Sequence, residues 1–251
     1  MSEDACRSVA VYSLKGGVGK TTLAVNLAWA AAVQAGRRTL LWDLDAQAAA
    51  SFLLGVRPNG REAQAIFAKQ VAPARLVRPT ATDNFHVLPA DTSLRGLDRF
   101  FFGLGKKRRF EKLLGEAGRS YERVVLDCPP GLTETSEQVL RAVDLIIVPL
   151  IPSPLSRRAL DEVVAYLDKG GLRRAAVLPV FNMVDRRRTV HRASLEADPD
   201  WPCVPMASAV EAMTARLEPI GAFAPRSPAA ESLSRLWAGI ERRLARPRKE
   251  S

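Results

Sequence analysis

Eight consecutive residues, Lys15-Gly16-Gly17-Val18-Gly19-Lys20-Thr21-Thr22, have the chemistry of a phosphate cradle. Glycines at 16, 17 and 19 let the backbone curl so that successive N–H groups point inward at one anion. The segment stands directly after an apolar run and before an Ala/Leu-rich helical pattern, so the positive end of a helix dipole would add to that field. In such a loop Lys20 reaches the β- and γ-phosphates of a nucleotide, and the Thr21 hydroxyl ligates Mg²⁺. A Gly-rich strand-to-helix turn with a surface lysine is the bland alternative, and eight matching residues in the right context weigh against it.

The surrounding elements have to hold that loop at the end of a strand. Val9–Ser13, Thr39–Asp43, Phe85–Pro89, Arg123–Asp127, Leu145–Pro149 and Ala175–Val180 are compact apolar runs of the kind found in buried parallel strands. Between them, residues 21–35, closed by Gly36, and residues 136–142 and 156–169 read as helices. This alternation predicts an α/β fold, a doubly wound, mostly parallel sheet with helices on both faces. No repeat, linker or composition break divides the chain, so residues 1–251 are expected to form a single domain.

The loop lacks the first glycine of the general Gly-x-x-x-x-Gly-Lys-Thr pattern: Leu14 stands there, followed by a second lysine, Lys15. In this the sequence resembles the ParA/MinD family of deviant Walker-A ATPases, whose signature is Lys-Gly-Gly-x-Gly-Lys-Thr-Thr. Three more motifs follow in the family's order. Asp43-Leu44-Asp45-Ala46-Gln47 resembles Asp-x-Asp-Pro-Gln, Asp127-Cys128-Pro129-Pro130 resembles a Walker-B strand end, and Phe181-Asn182-Met183-Val184-Asp185 resembles the base-recognition stretch.

The resemblance implies a Mg²⁺-dependent ATPase with P-loop fold that sandwiches ATP between two subunits. Lys15 would reach the partner's nucleotide, Asp45 would position the attacking water, and Asp127 would hold a water of the Mg²⁺ shell. Asp43, two residues before Asp45 on the same strand, would lie near the metal. Asn182 offers both a donor and an acceptor to the adenine edge. Ala46 replaces the family's proline, which predicts a looser loop after Asp45, and Cys128 reads as a small buried residue.

Composition narrows the partners less sharply. With 37 Lys+Arg against 27 Asp+Glu the chain carries +10, divided evenly between residues 1–150 and 151–251. That excludes a detachable basic tail and leaves DNA, an anionic membrane, or plain solvated charge. No secretory leader or spanning helix is expected, and three scattered cysteines with two histidines make neither a disulfide framework nor a zinc site. Basic clusters occur at Lys106–Arg109, at Arg186, Arg187 and Arg188 with His191 and Arg192, and from Arg242 to Lys249.

The family resemblance implies nonspecific DNA binding by the ATP dimer and release by a ParB-like or other stimulating adaptor. It points to Arg186, Arg187, Arg188, Arg216 and Arg226 as DNA contacts and to a cytoplasmic, nucleoid-associated protein that positions a plasmid, chromosome region or protein cluster. The rival expectation is a MinD-like membrane-associated ATPase. It rests on the stripe Leu233, Leu236, Trp237, Ile240 and Leu244, which this fold ordinarily packs against its sheet.

Overall fold

A computed structural model describes residues 6–58, 63–104, 108–170 and 175–246. Its centre is one eight-stranded sheet built from β1 (Arg7–Val11), β2 (Thr39–Asp43), β3 (Arg78–Pro79), β4 (Phe85–Leu88), β5 (Arg123–Asp127), β6 (Leu145–Leu150), β7 (Ala176–Val184) and β8 (Cys203–Pro205). The spatial order is β3-β4-β2-β5-β1-β6-β7-β8. Every pairing is parallel except that of β3 with β4. This is the doubly wound sheet that the alternating pattern predicts. The order reverses around β1, and the crevice at the carboxyl ends of β1, β2 and β5 is where ligands of such sheets bind.

Helices cover both faces. In chain order they are α1 (Lys20–Val33), α2 (Ala49–Leu53), α3 (Ala63–Phe67), α4 (Pro73–Leu76), α5 (Leu97–Leu104), α6 (Arg109–Gly118), α7 (Glu134–Ala142), α8 (Pro154–Lys169), α9 (Thr189–Ala197), α10 (Ser208–Arg216), α11 (Ile220–Phe223) and α12 (Pro228–Leu244). Strand side chains alternate between the two layers. Ala10, Tyr12, Leu40, Trp42, Val124, Leu126, Ile146 and Val148 enter one core with Phe67, Phe101 and Phe110. Val9, Val11, Leu41, Val125, Leu145 and Ile147 enter the other, against α1 and α12. With both faces covered, the central strands are continuous apolar runs, which is why they are legible in the sequence.

Two strands escape the sequence pattern because they are too short to show a period. β3 has two residues, and β8 has three, ending in Pro205 and directly preceded by Pro202. β7 is longer than expected and runs to Val184, so Asn182 lies inside a strand and not after one. Lys106 and Lys107 of one basic cluster, and residues 247–249 of another, lie outside the described residues.

Candidate nucleotide-binding site

The loop between β1 and α1 is held from below and from the side. Ser13, buried at the end of β1, accepts the Lys15 N–H on its Oγ at 3.3 Å. Gly17 and Gly19 adopt φ of 73° and 84°, a left-handed region that side chains disfavour. At Gly19 space is also closed, since an added Cβ would stand 2.3 Å from Asn182 Nδ2. That amide donates to the Val18 carbonyl at 2.9 Å. Asn182 reaches the loop through an irregularity of β7, whose register to β8 shifts between Phe181 and Val184 while Met183 takes φ of 54°. The side chain expected to read a base edge thus braces the loop with its NH₂ group.

The two lysines part company. Lys20 is buried, and its Nζ donates to the Lys15 carbonyl at 3.0 Å. Burial lowers its pKa, while the carboxylates of Asp127 and Asp45 oppose that shift. Lys15 and the two glycines after it are exposed. One ammonium therefore closes across the loop from inside, and the other belongs to an exposed residue.

Asp43 and Asp127 end neighbouring strands and pair in register. Asp127 is fully buried, and neither carboxylate oxygen has a hydrogen-bond partner among the described residues. Burial, then the charge of Asp43, pushes its carboxyl well above the usual range. The Thr21 hydroxyl and the Lys20 ammonium pull the other way without closing a hydrogen bond onto it. Asp43 differs: its Oδ2 accepts the Ser51 N–H at 3.0 Å and the Ser51 hydroxyl at 2.8 Å, and its Oδ1 accepts the Asp45 N–H at 3.2 Å. Burial nonetheless raises it to about 6. Asp43 ties the loop after β2 to the sheet, a role for which Ser51 leaves no motif in the sequence.

Asp45 is half-buried, with Oδ1 accepting the Gln47 N–H at 2.9 Å and its carbonyl accepting the Ala48 N–H at 2.8 Å. These bonds fix the turn at Ala46 without a proline. Cys128 is buried, and burial pushes its thiol pKa up, so it supplies no thiolate nucleophile. Tyr12 donates to the Gly131 carbonyl at 3.0 Å and anchors the loop after β5 to β1.

These residues fit a nucleotide with Mg²⁺. A buried carboxylate without a partner is costly and marks a place for a cation. No group of three His, Cys, Asp or Glu side chains converges among the described residues. That suits Mg²⁺, which phosphoryl-transfer sites hold through one or two protein groups together with phosphates and waters. Beside the loop, Thr22, Asn182, Met183, Pro205, Met206 and Val210 line a mostly apolar slot of about 190 Å³.

The arginines expected to meet DNA all lie exposed, in different settings. Arg187 forms a bidentate pair with Asp185, both contacts at 2.9 Å, while Arg186 lies 3.9 Å from Cys203 Sγ. Arg192 donates to the Arg186 and Arg187 carbonyls and so fixes the bend that presents Arg186–Arg188. Arg216 stacks over Phe223 at 4.9 Å, and Arg226 stands just before α12.

Fold and crevice together define a P-loop nucleoside-triphosphatase core. Residues 6–173 match the AAA domain family model. The chromosome-partitioning ATPase Soj of Thermus thermophilus is 32% identical over 250 residues, which span 95% of this chain and 96% of that one. ParA of Caulobacter vibrioides is 30% identical over 203 residues, 76% and 74% of the two chains. With Soj of Bacillus subtilis the match is 32% over 146 residues, 57% of each chain. An ATP complex of a Cyanothece McdA variant superposes with a TM-score of 0.79 at 20% identity, covering 98% of this chain and 99% of that one. MinD of Pyrococcus furiosus gives 0.78 at 23%, covering 94% and 98%. The chain belongs to the ParA/MinD-type P-loop ATPases, as the four motifs imply.

Proposed function

We propose that this protein is a ParA-like positioning ATPase that binds ATP and Mg²⁺ between two copies of itself, engages DNA without sequence preference, and is released when a ParB-like or other adaptor stimulates hydrolysis. The observation that carries the reading is the convergence at one end of the sheet of inward Lys20, outward Lys15 and Asp127, which has no hydrogen-bond partner among the described residues. Loop amides 16–20 and Lys20 would hold the β- and γ-phosphates, with Thr21 and Asp127 turned to the metal. Mg²⁺, when bound, offsets negative charge on the phosphate oxygens. Asp45 keeps Oδ1 on the Gln47 amide and would use Oδ2 to orient the attacking water. The slot beside Asn182 would take the base.

Dimerisation across this end gains support from exposed apolar side chains after the carboxyl ends of four strands: Phe52, Leu132, Leu155 and Met206. A second copy would cover them while bringing its Lys15 to the nucleotide. The membrane alternative has less to stand on. Leu233, Leu236, Trp237, Ile240 and Leu244 of α12 are all buried against the sheet, and no helix among the described residues is long and apolar enough to cross a membrane. With DNA as the polyanion, the protein would be cytoplasmic and nucleoid-associated.

The test combines turnover and assembly. Mg²⁺ and ATP are expected to convert the chain to a dimer, and Asp45→Ala to hold that dimer with ATP uncleaved. A chain that stays monomeric with ATP in both forms would sink the proposal.

A further inference from the structure

A groove of about 680 Å³ runs along α12 where it packs beside the edge strand β8. Five arginines line it, Arg186, Arg235, Arg242, Arg243 and Arg246, against one acid, Asp200. We infer that this groove is the seat of a phosphodiester backbone, and that duplex DNA is held chiefly along α12 and not by Arg216 and Arg226. The inference rests on the DNA-binding reading above and moves its centre.

The arrangement follows from two stripes on one helix. Leu233, Leu236, Trp237, Ile240 and Leu244 face the sheet, whereas Ser232, Arg235, Gly239 and Arg242 recur at alternating steps of three and four along the groove, which Arg246 continues just past the helix end. Seventeen residues give α12 a length of about 25 Å. The groove extends from Arg186, after the carboxyl end of β7, and Pro205, the last residue of β8, to Arg246, whose carbonyl accepts from Arg7 at the start of β1. It therefore runs from the side of the strand ends toward the side of the strand starts.

The charges are available. Among the described residues no acid pairs with the side chains of Arg242, Arg243 or Arg246, and Arg235 has only a loose ion pair with Glu231 at 3.8 Å. Two C-terminal arginines also complement the helix dipole, worth about 0.3–1 kcal/mol. That explains Arg242 and Arg243 but not a cleft that gathers three more. All five are arginines, whose planar forks suit phosphate oxygens.

Gly239 supplies an independent sign. It sits mid-helix, where glycine is disfavoured relative to alanine. Packing does not demand it, because the nearest atom to an added Cβ is Arg242 Nη2 at 3.8 Å. What the missing side chain does is keep the middle of the groove open to a close-approaching ligand. An added peptide strand fits this edge poorly. β8 has three residues, Pro205 has no N–H to donate, and Pro202 just before it has none either. A flat bilayer does not enter a concave cleft whose helix has its apolar stripe turned inward.

The experiment measures binding of a fluorescent random-sequence duplex to the full chain with ATP and Mg²⁺, across a salt series. Arg242→Glu with Arg243→Glu is expected to weaken binding at least tenfold and to flatten the log–log salt slope by about 0.9 for each phosphate no longer neutralised. Gly239→Leu, which fills the cleft without touching charge, is expected to weaken it several-fold. Melting temperature and nucleotide affinity establish that each variant is folded. Groove variants that bind like the parent, while Arg216→Glu or Arg226→Glu abolishes binding, would overturn the inference and leave the DNA reading intact. A parent that binds no duplex, or that prefers vesicles rich in anionic lipid, overturns both.

Discussion

The crevice at the loop and the groove along α12 both present basic side chains, yet they are built in opposite ways. In the crevice the charges are few, buried and placed by backbone: Lys20 is folded under its own loop, and Asp43 and Asp127 end adjacent strands. Each position depends on a particular turn, so type and spacing are both fixed. In the groove the arginines are exposed, three of them on α12 and two, Arg186 and Arg246, on the irregular chain beside it. Buried charge must be compensated where it lies, and exposed charge can be moved by a turn at little cost. The crevice should thus fail sharply under single substitutions, and the groove gradually.

Lys20→Ala is the strongest break of that contrast. Losing the buried Lys20 ammonium that would face the phosphates is expected to lower ATP turnover on the order of 10²–10³-fold, the scale for removing a single preorganised donor. Any single groove arginine changed to alanine should leave DNA-free turnover within a factor of two. Equal losses at both places would erase the distinction.

Gly19→Ala comes next. A left-handed alanine costs about 1–3 kcal/mol, and its Cβ also drives into Asn182, breaking the amide's bond to Val18. Thermal melts should show the loss, and Asn182→Ala in the same chain should restore part of it by removing the clashing group. A double variant as unstable as the sum of the singles would remove Asn182 from its bracing role.

Asp127 and Asp43 give a pH signature. Both carboxyls titrate above their unfolded value because they are buried, so the folded chain holds their protons more tightly. For Asp43 the window lies between roughly pH 4, the unfolded value, and about 6. Stability without nucleotide should rise as pH falls through that window, at up to about 1.4 kcal/mol per pH unit for each group, and level off below it. Asp127→Asn should stabilise the nucleotide-free chain by on the order of 1–3 kcal/mol while weakening Mg²⁺-dependent nucleotide binding. With Mg²⁺ and ATP present the pH trend should shrink, since a cation favours the charged carboxylates. Urea melts from pH 7 to pH 4 read both effects. A flat profile would mean the two carboxyls are not buried in solution.

The same contrast explains what the sequence discloses. β1, β2, β5 and β6 are covered on both faces and announce themselves as apolar runs, and the loop is legible because three glycines have no substitute near one lysine. β8 is hidden by its prolines and its length, and Ser51 by lying eight residues from the Asp43 it holds. Asn182 is found by its motif, but its grip on Val18 depends on a strand irregularity that no residue pattern announces. The groove is the extreme case. Arg235, Gly239, Arg242 and Arg246 look like one face of a solvated helix until β8 is laid beside them.

Arg216 offers the smallest effect and the finest division. Its guanidinium rests on Phe223 at 4.9 Å on an exposed surface, an interaction worth about 0.5–1 kcal/mol. Arg216→Ala should therefore lower the melting temperature slightly and leave nucleotide affinity alone. If the side chain only stacks, the salt slope of DNA binding stays at its parent value. If it also meets a phosphate, the slope falls by about 0.9. Arg216→Lys separates the two roles further, because lysine keeps the charge but loses the planar stacking. A slope that falls with alanine and recovers with lysine would extend the DNA track from the α12 groove onto α10. An unchanged slope in both would confine it to the groove.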